Sequence, residues 1–288
     1  MIDYHIHPGY SIDAENSSMT SYCEKALDIG LKEICFTTHF ECDPKRAHLD
    51  WFVRCGGEII SIMDNWMDSY FRDIHQCQKV FGPLGLEVKA GVEVGYDLGL
   101  EESIAKLVSN YPFDMVMGSV HCVDHVAISS QKESVQFFRE KDLNEIVKKY
   151  FDILLTSIQT GLFDVVGHFD LYRRFGLGYY GAAVWSCHEP YLDELLVALV
   201  SSNMAMEINT SSLRQGHDSF YPAATILKKA KAKGLLGVTI GSDAHSLTQL
   251  GQGVQAAINL ATELDLPILT YARREPQPLK FIYNHRKD

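Results

Sequence analysis

Short apolar runs alternate with amphipathic stretches along the whole chain. Seven runs rich in β-branched and aromatic side chains read as buried strands: Ile2–Ile6, Glu33–Thr38, Glu87–Val94, Asp114–Val120, Phe163–Gly167, Met204–Asn209 and Leu236–Gly241. Between them apolar residues recur at helical spacing. Met19–Ile29 follows the capping serines Ser17 and Ser18 and stops at Gly30, and Asp142-x-x-Glu145 resembles a capping box opening a helix that runs to Gly161. Glu58–Phe81 reads as one long helix, followed later by Glu189–Ser202, Ala223–Lys233 and Val254–Leu264 before Pro267. Strict β/α alternation implies a parallel sheet. The strand count favours an α/β chain closed into a distorted (β/α)7 barrel over an open doubly wound sheet. Phe40–Gly57 and Phe169–Cys187 are the irregular segments, and the Pro-containing tail Arg273–Lys280 is expected to finish as an extended strand.

Polar residues at the ends of these apolar runs carry the candidate chemistry. His5-x-His7, Asp13, His39, Glu93, His121, His168 and Asp243-x-His245 mostly sit directly after a strand candidate. A parallel strand followed by a helix delivers the residue at its carboxyl end to one common rim, so ligands scattered in sequence can meet there. In His5-Ile6-His7 and Asp243-Ala244-His245 the strand period of two sends both donors to the same side. Read singly, each histidine could be a core imidazole bonded to backbone. Read together they would need many separate buried partners, which makes shared metal coordination the cheaper arrangement. Nitrogen and oxygen donors without thiolates suit zinc, manganese or iron, whereas calcium or magnesium would call for an all-oxygen cage.

His48, His75, His188 and His285 lack such placement and are expected at the surface or in structural roles. His125, soon after His121, and His217, near Arg214, are candidates to line the pocket.

A chain of 288 residues, 46% hydrophobic and 22% charged, can bury one large core, and residues 1–288 are expected to form a single domain. The first residues start inside a strand and lack a secretory signal, and no apolar stretch is long enough to cross a membrane, so a cytoplasmic protein is expected. Seven cysteines with no Cys-x-x-Cys pair fit reduced thiols, with Cys35 and Cys122 as small core residues. A formal charge of −11 repels long polyanions and argues against nucleic acid as a partner, while a small phosphorylated ligand stays allowed. No G-x-G-x-x-G or Walker loop occurs, which weakens nucleotide-cofactor chemistry. Composition leaves a homodimer open.

The ordered set His-x-His, Asp, Thr-His, Gly-Val-Glu, Gly-Ser-Val-His, Gly-His-Phe-Asp and Ser-Asp-Ala-His, running from His5 to His245, resembles the PHP (polymerase and histidinol phosphatase) superfamily. Val165-Val166-Gly167-His168-Phe169-Asp170 with Arg173 and Arg174, and Glu207-Ile208-Asn209-Thr210 leading to Arg214, resemble its histidinol-phosphatase branch. The resemblance implies a distorted seven-stranded barrel holding three divalent metal ions per chain (zinc, manganese or iron). It implies His5, His7, Glu93 and Asp243 around one ion, Glu93, His121 and His168 around a second, and Asp13, His39 and His245 around the third, with Glu93 bridging. Asp13 stands where many relatives have histidine, and a carboxylate remains a competent ligand.

The function so implied is hydrolysis of L-histidinol phosphate, a phosphorylated amino alcohol of histidine biosynthesis, by in-line attack of a metal-bound hydroxide. Arg173, Arg174 and Arg214 are the guanidinium candidates for the phosphate, whose oxygens their planar fork matches, and Ser212 could add a hydrogen bond. Asp13 or His245 is the candidate for protonating the leaving alkoxide, and Glu41 and Asp43 for pairing with a substrate ammonium. Two other readings stay open: a phosphatase or phosphodiesterase of the same superfamily acting on nucleotides, nucleic-acid ends or phosphotyrosine, and a noncatalytic metal-binding scaffold.

Overall fold

Strands β1 (Ile2–Ile6), β2 (Glu33–Phe36), β3 (Glu87–Gly95), β4 (Met115–Ser119), β5 (Val165–Val166), β6 (Ala205–Asn209) and β7 (Val238–Gly241) pair side by side in chain order. Every pairing is parallel. The computed structural model describes residues 1–41 and 43–279. Beyond β1 and β7 the ring all but closes: Ile6 bridges Ala244 in parallel, with His7 N–H on the Ala244 carbonyl at 2.8 Å and Ala244 N–H on the His5 carbonyl at 3.2 Å. The result is the expected distorted seven-stranded barrel.

Parallel strands joined by outer helices are covered on both faces, which is why their sequences are near-continuous apolar runs. All five residues of β1, β4 and β6 are buried. Each helix turns one stripe inward; Met19–Asp28 buries Met19, Tyr22, Cys23 and Ala26 and is capped by Ser18, whose hydroxyl accepts the Ser21 N–H at 3.1 Å. Asp142 caps Leu143–Gln159 by accepting the N–H groups of Asn144 and Glu145.

Two departures bear on the site. Strand β2 breaks after Phe36, and the chain pairs again with β3 over His39–Glu41, placing His39 opposite Glu93. The expected helix Glu58–Phe81 is instead an antiparallel hairpin, Phe52–Cys55 against Glu58–Ser61, followed by a shorter helix Met67–Phe81. The physical reason is the Gly56-Gly57 pair, which turns with φ of +62° and +87°, the left-handed geometry of a tight hairpin turn, and so lays Glu58–Ser61 back against Phe52–Cys55.

Among the described residues three longer helices add to the expected set, Glu101–Asn110, Gln131–Glu140 and, inside a segment expected to be irregular, Arg173–Tyr180, together with the single turns Ala47–Asp50 and Ser211–Arg214. The tail forms the hairpin Leu269–Ala272 against Glu275–Pro278 with Arg273 and Arg274 in its turn. Lys280 and His285 lie outside the described residues.

Candidate metal centre

Strand ends and the loops leaving them carry the donors to one place. His5 lies in β1 and His7 just past it, Glu93 lies in β3, and His121, His168 and Asp243 each come two residues after β4, β5 and β7. Crowding at this rim demands glycine where another side chain crosses. A Cβ on Gly241 would stand 2.2 Å from Glu207 Oε1 and 2.5 Å from His5 Cβ, and one on Gly95 would overlap the Glu41 carboxylate. Asp243 itself adopts a left-handed backbone, φ +55°, sparsely populated for a residue with a Cβ. Arg214 holds it there by donating to the carbonyls of Ser242 and Asp243, both at 2.8 Å.

Glu93 is the hub, with a side chain only 1% exposed. Its Oε2 lies 3.1 Å from His5 Nε2, 3.4 Å from His7 Nε2 and 3.0 Å from His39 Nδ1. Its Oε1 lies 3.2 Å from His121 Nε2 and 2.9 Å from His168 Nε2 and accepts the Ser119 hydroxyl at 2.7 Å. Asp243 Oδ1 stands 3.4 Å from His7 Nε2 and 3.7 Å from His5 Nε2. Asp13 Oδ2 stands 3.5 Å from His39 Nε2 and 3.3 Å from His245 Nε2. The His7 ring stacks on both His39 and His245, with centroids 4.1 Å apart in each case.

These separations fit donors that share ions. With metal–nitrogen and metal–oxygen bonds of about 2.0–2.2 Å, two ligand atoms on one tetrahedral ion lie roughly 3–3.5 Å apart. Further support comes from the buried atoms without a hydrogen bond among the described residues: four of the fourteen, His5 Nε2, His7 Nε2, His39 Nδ1 and Glu93 Oε2, lie together at this centre. Orphaned polar atoms are rare and costly, and four of them aimed at one point match the lone pairs of a coordination site. Donor groups suited to a metal form around His5, His7 and Glu93, around Glu93, His121 and His168, and around His7, His39 and His245. A fourth, His39 with Glu41 and His121, brings in a carboxylate not expected as a ligand.

Charge is arranged to keep the carboxylates ionised. Burial opposes ionisation of Glu93, yet His5, His121 and His39 outweigh it and hold the group well below the usual carboxylate range. Burial, with His39 and His245 adding to it, holds His7 well below the ordinary histidine value, which leaves a neutral ligand. Burial works against protonation of His121, but Glu41 and Glu93 prevail and push it up to about 10.

Several residues support this ring from behind. Glu207, in the middle of β6, takes His5 Nδ1 at 2.7 Å on one oxygen and accepts the His168 N–H at 2.8 Å on the other. It thereby fixes which His5 nitrogen faces the metal position. Asn209 donates to Glu207 at 3.2 Å and to Asp243 at 3.4 Å. Sequence reasoning assigned Glu207 no role of its own, although a carboxylate inside an apolar strand demands a buried partner.

The centre opens into a cavity of about 620 Å³. Arg174 and Arg214 line it, and neither forms an ion pair with a carboxylate among the described residues. Arg173 does not line it: its fully buried guanidinium is taken by Asp170 at 2.7 and 3.0 Å and by Ser219 at 3.0 Å, and it stacks over Trp185 and Tyr221. Its pairing with Asp170 makes it structural rather than a phosphate ligand. Ser212 is buried away from the cavity wall, where Ser211 stands instead. Glu41 lines the cavity, joined by Arg46, Asp50 and Glu133. Asp43 does not, because it pairs with His125 Nδ1 at 2.6 Å, and His125 is thereby held outside the lining as well. His217 also falls outside it. His188 is buried against the Tyr172 hydroxyl at 3.1 Å, whereas His48 and His75 are exposed.

A parallel barrel with imidazole and carboxylate donors converging at its carboxyl rim defines a metal-dependent barrel hydrolase. More narrowly, the chain belongs to the PHP domain family, whose pattern matches residues 3–211. It is similar to the probable histidinol-phosphatase of Deinococcus radiodurans, with 26% identity over 278 residues, covering 96% of this chain and 99% of that protein. It is similar also to the histidinol-phosphatase of Lactococcus lactis, with 28% identity over 246 residues, covering 85% of this chain and 84% of that one. Among solved structures, histidinol phosphate phosphatase from Lactococcus lactis, crystallised with zinc, L-histidinol and phosphate, shares the fold at a TM-score of 0.75 and 24% identity, covering 96% of this chain and 98% of its own.

Proposed function

We propose that this protein is a metal-dependent phosphomonoesterase that hydrolyses L-histidinol phosphate to L-histidinol and phosphate. One observation carries the reading: the converging donor ring shares a cavity with two guanidinium groups, Arg174 and Arg214, that lack carboxylate partners among the described residues. Charged, facing a cavity and without a carboxylate partner, they call for an anion, and a planar guanidinium suits phosphate; Arg214 also donates to the Ser242 and Asp243 carbonyls and so ties the anion position to the Asp243 ligand. The names of the relatives agree, and the Lactococcus lactis structure holds both products of that reaction.

The opposite arc of the rim explains an amino-alcohol substrate. The connections after β2 and β4 place Glu41, Asp50 and Glu133 on the cavity, with Arg46 beside them pairing with Asp50 and Glu133. The arginines come from helical segments after β5 and β6, Arg173–Tyr180 and Ser211–Arg214. A substrate with phosphate at one end and an ammonium at the other fits this polarity in one orientation.

His5, His7, Glu93 and Asp243, then Glu93, His121 and His168, then Asp13, His39 and His245 would hold three divalent ions of zinc, manganese or iron. Bound there, such ions supply positive charge against the phosphoryl oxygens and lower the pKa of water to about 7. Arg174 and Arg214 orient the phosphoryl group and spread the charge of its equatorial oxygens. Asp13, with a side chain 54% exposed, is the most solvent-facing member of the ring and, with His245 3.3 Å away, the group placed to pass a proton to the departing alkoxide.

The test is phosphate release from L-histidinol phosphate, nucleoside monophosphates and phosphotyrosine after reconstitution with each metal in turn. The proposal expects kcat/KM for histidinol phosphate to exceed the others by at least about 100-fold, the worth of a buried polar match. Equal rates across the panel would favour a broader phosphatase, and retained metal with no turnover would favour a scaffold.

A further inference from the structure

We infer that Arg54, on the hairpin Phe52–Ser61 outside the barrel, is a positioning residue for the third metal position, acting through the loop that carries Asp13. The inference rests on the three-ion reading above. Asp13 is the ligand that the barrel itself holds least: its side chain is 54% exposed, against 1% for Glu93 and 9% for Asp243. It lies on no strand, in the turn between β1 and the helix Met19–Asp28. Something outside the barrel has to fix that turn.

Arg54 does so with one guanidinium. Nη1 donates to the carbonyls of Ser11 at 2.7 Å, Ala14 at 2.9 Å and Gly9 at 3.3 Å, and Nη2 donates to that of Ile12. These carbonyls bracket Asp13 on both sides. The hairpin backbone adds to the grip, because Arg54 N–H donates to the Tyr10 carbonyl at 2.9 Å and Val53 bridges Ser11 in antiparallel fashion. A lysine has no second arm for the Ile12 carbonyl, which Nη2 takes while Nη1 serves the other three, so it could replace the fork only in part.

The same turn reaches three more metal ligands. Ser11 Oγ accepts the His39 N–H at 3.3 Å and lies 3.3 Å from His7 Nδ1, and Glu15 N–H donates to the His245 carbonyl at 2.7 Å. Fixing the turn therefore fixes Asp13 relative to His39 and His245. Those are the residues assigned to one ion; the contact with His7 reaches one of the four ligands of the first ion, and no contact of the turn reaches Glu93, His121 or His168 among the described residues. Removing an outer group that orients ligands typically costs 10–100-fold in metal affinity.

The experiment is calorimetric titration of the chelator-stripped full chain with Mn²⁺, for wild type, Arg54→Met, Arg54→Lys, Asp13→Asn and the double variant Asp13→Asn with Arg54→Met. Circular dichroism of each metal-free chain reports folding. Arg54→Met is expected to weaken one of three equivalents by roughly 10–100-fold and to leave the other two in place, with Arg54→Lys intermediate. Asp13→Asn is expected to weaken the same equivalent, and the double variant to be no worse than Asp13→Asn alone, because both act through one ligand. Three equivalents at unchanged affinity in folded Arg54→Met, a loss shared by all of them, or additive losses in the double variant would overturn the inference while leaving the three-ion reading intact. If Arg54→Met does not fold, Arg54→Lys alone decides, by whether its loss falls on one equivalent. Fewer than three equivalents in the wild type would instead overturn the three-ion reading, and the inference with it.

Discussion

Neighbouring arginines show how much depends on which way a side chain faces. Arg173 and Arg174 are equal in sequence, yet one is buried with Asp170 and the other lines the cavity. Arg173→Ala should leave Asp170 buried without a partner and destabilise the fold by about 3–5 kcal/mol, read as a lowered melting temperature. Arg174→Ala should leave melting nearly unchanged and act instead on kinetics, raising KM for the phosphoester by about 10-fold or more, the worth of a charge-assisted hydrogen bond. The reverse pattern would exchange their roles. Glu207→Gln removes the carboxylate behind His5 and His168 and should weaken metal binding by about 10–100-fold, measured by competition with a chelating dye. These distinctions could not be read from sequence, because successive residues on a helix point about 100° apart and only the packed structure fixes the phase. The donor positions were legible for the opposite reason: a strand end has one rim to face.

Strands and helices divide in the same way. Apolar runs located all seven barrel strands to within a few residues, since both faces of a parallel barrel are buried and the signal is strong. The hairpin at Phe52–Ser61 escaped because Glu58-Ile59-Ile60 suits either period, and the deciding signal, Gly56-Gly57, marks a helix boundary as readily as a turn. Gly57→Val tests the hairpin: a β-branched residue at φ +87° should cost about 1–2 kcal/mol and be felt in thermal stability. An unchanged melting curve would mean that the turn is not needed.

For the molecule as a whole, metal uptake, protonation and stability are one linked system. Burial opposes charge on His5 and His39, but surrounding carboxylates, Glu207, Glu93 and Asp243 around the first and Asp13 and Glu93 around the second, hold both imidazoles well above their usual value. A histidine must be neutral to bind a metal, so uptake near neutrality should release protons, and apparent affinity should rise with pH. Calorimetry in buffers of differing ionisation heat reads this directly; heats independent of the buffer would contradict it. Ions that bind only the folded chain also stabilise it, by roughly 4 kcal/mol at a thousand times the dissociation constant, so chelation should lower the melting temperature.

The most direct measurement is the initial rate of phosphate release from L-histidinol phosphate as metal is returned, equivalent by equivalent, to the stripped chain. Turnover should be negligible without metal and should rise with added ion until the donor ring is filled. Full turnover in the metal-free chain, or none in a chain carrying its full complement of ions, would contradict metal-dependent hydrolysis.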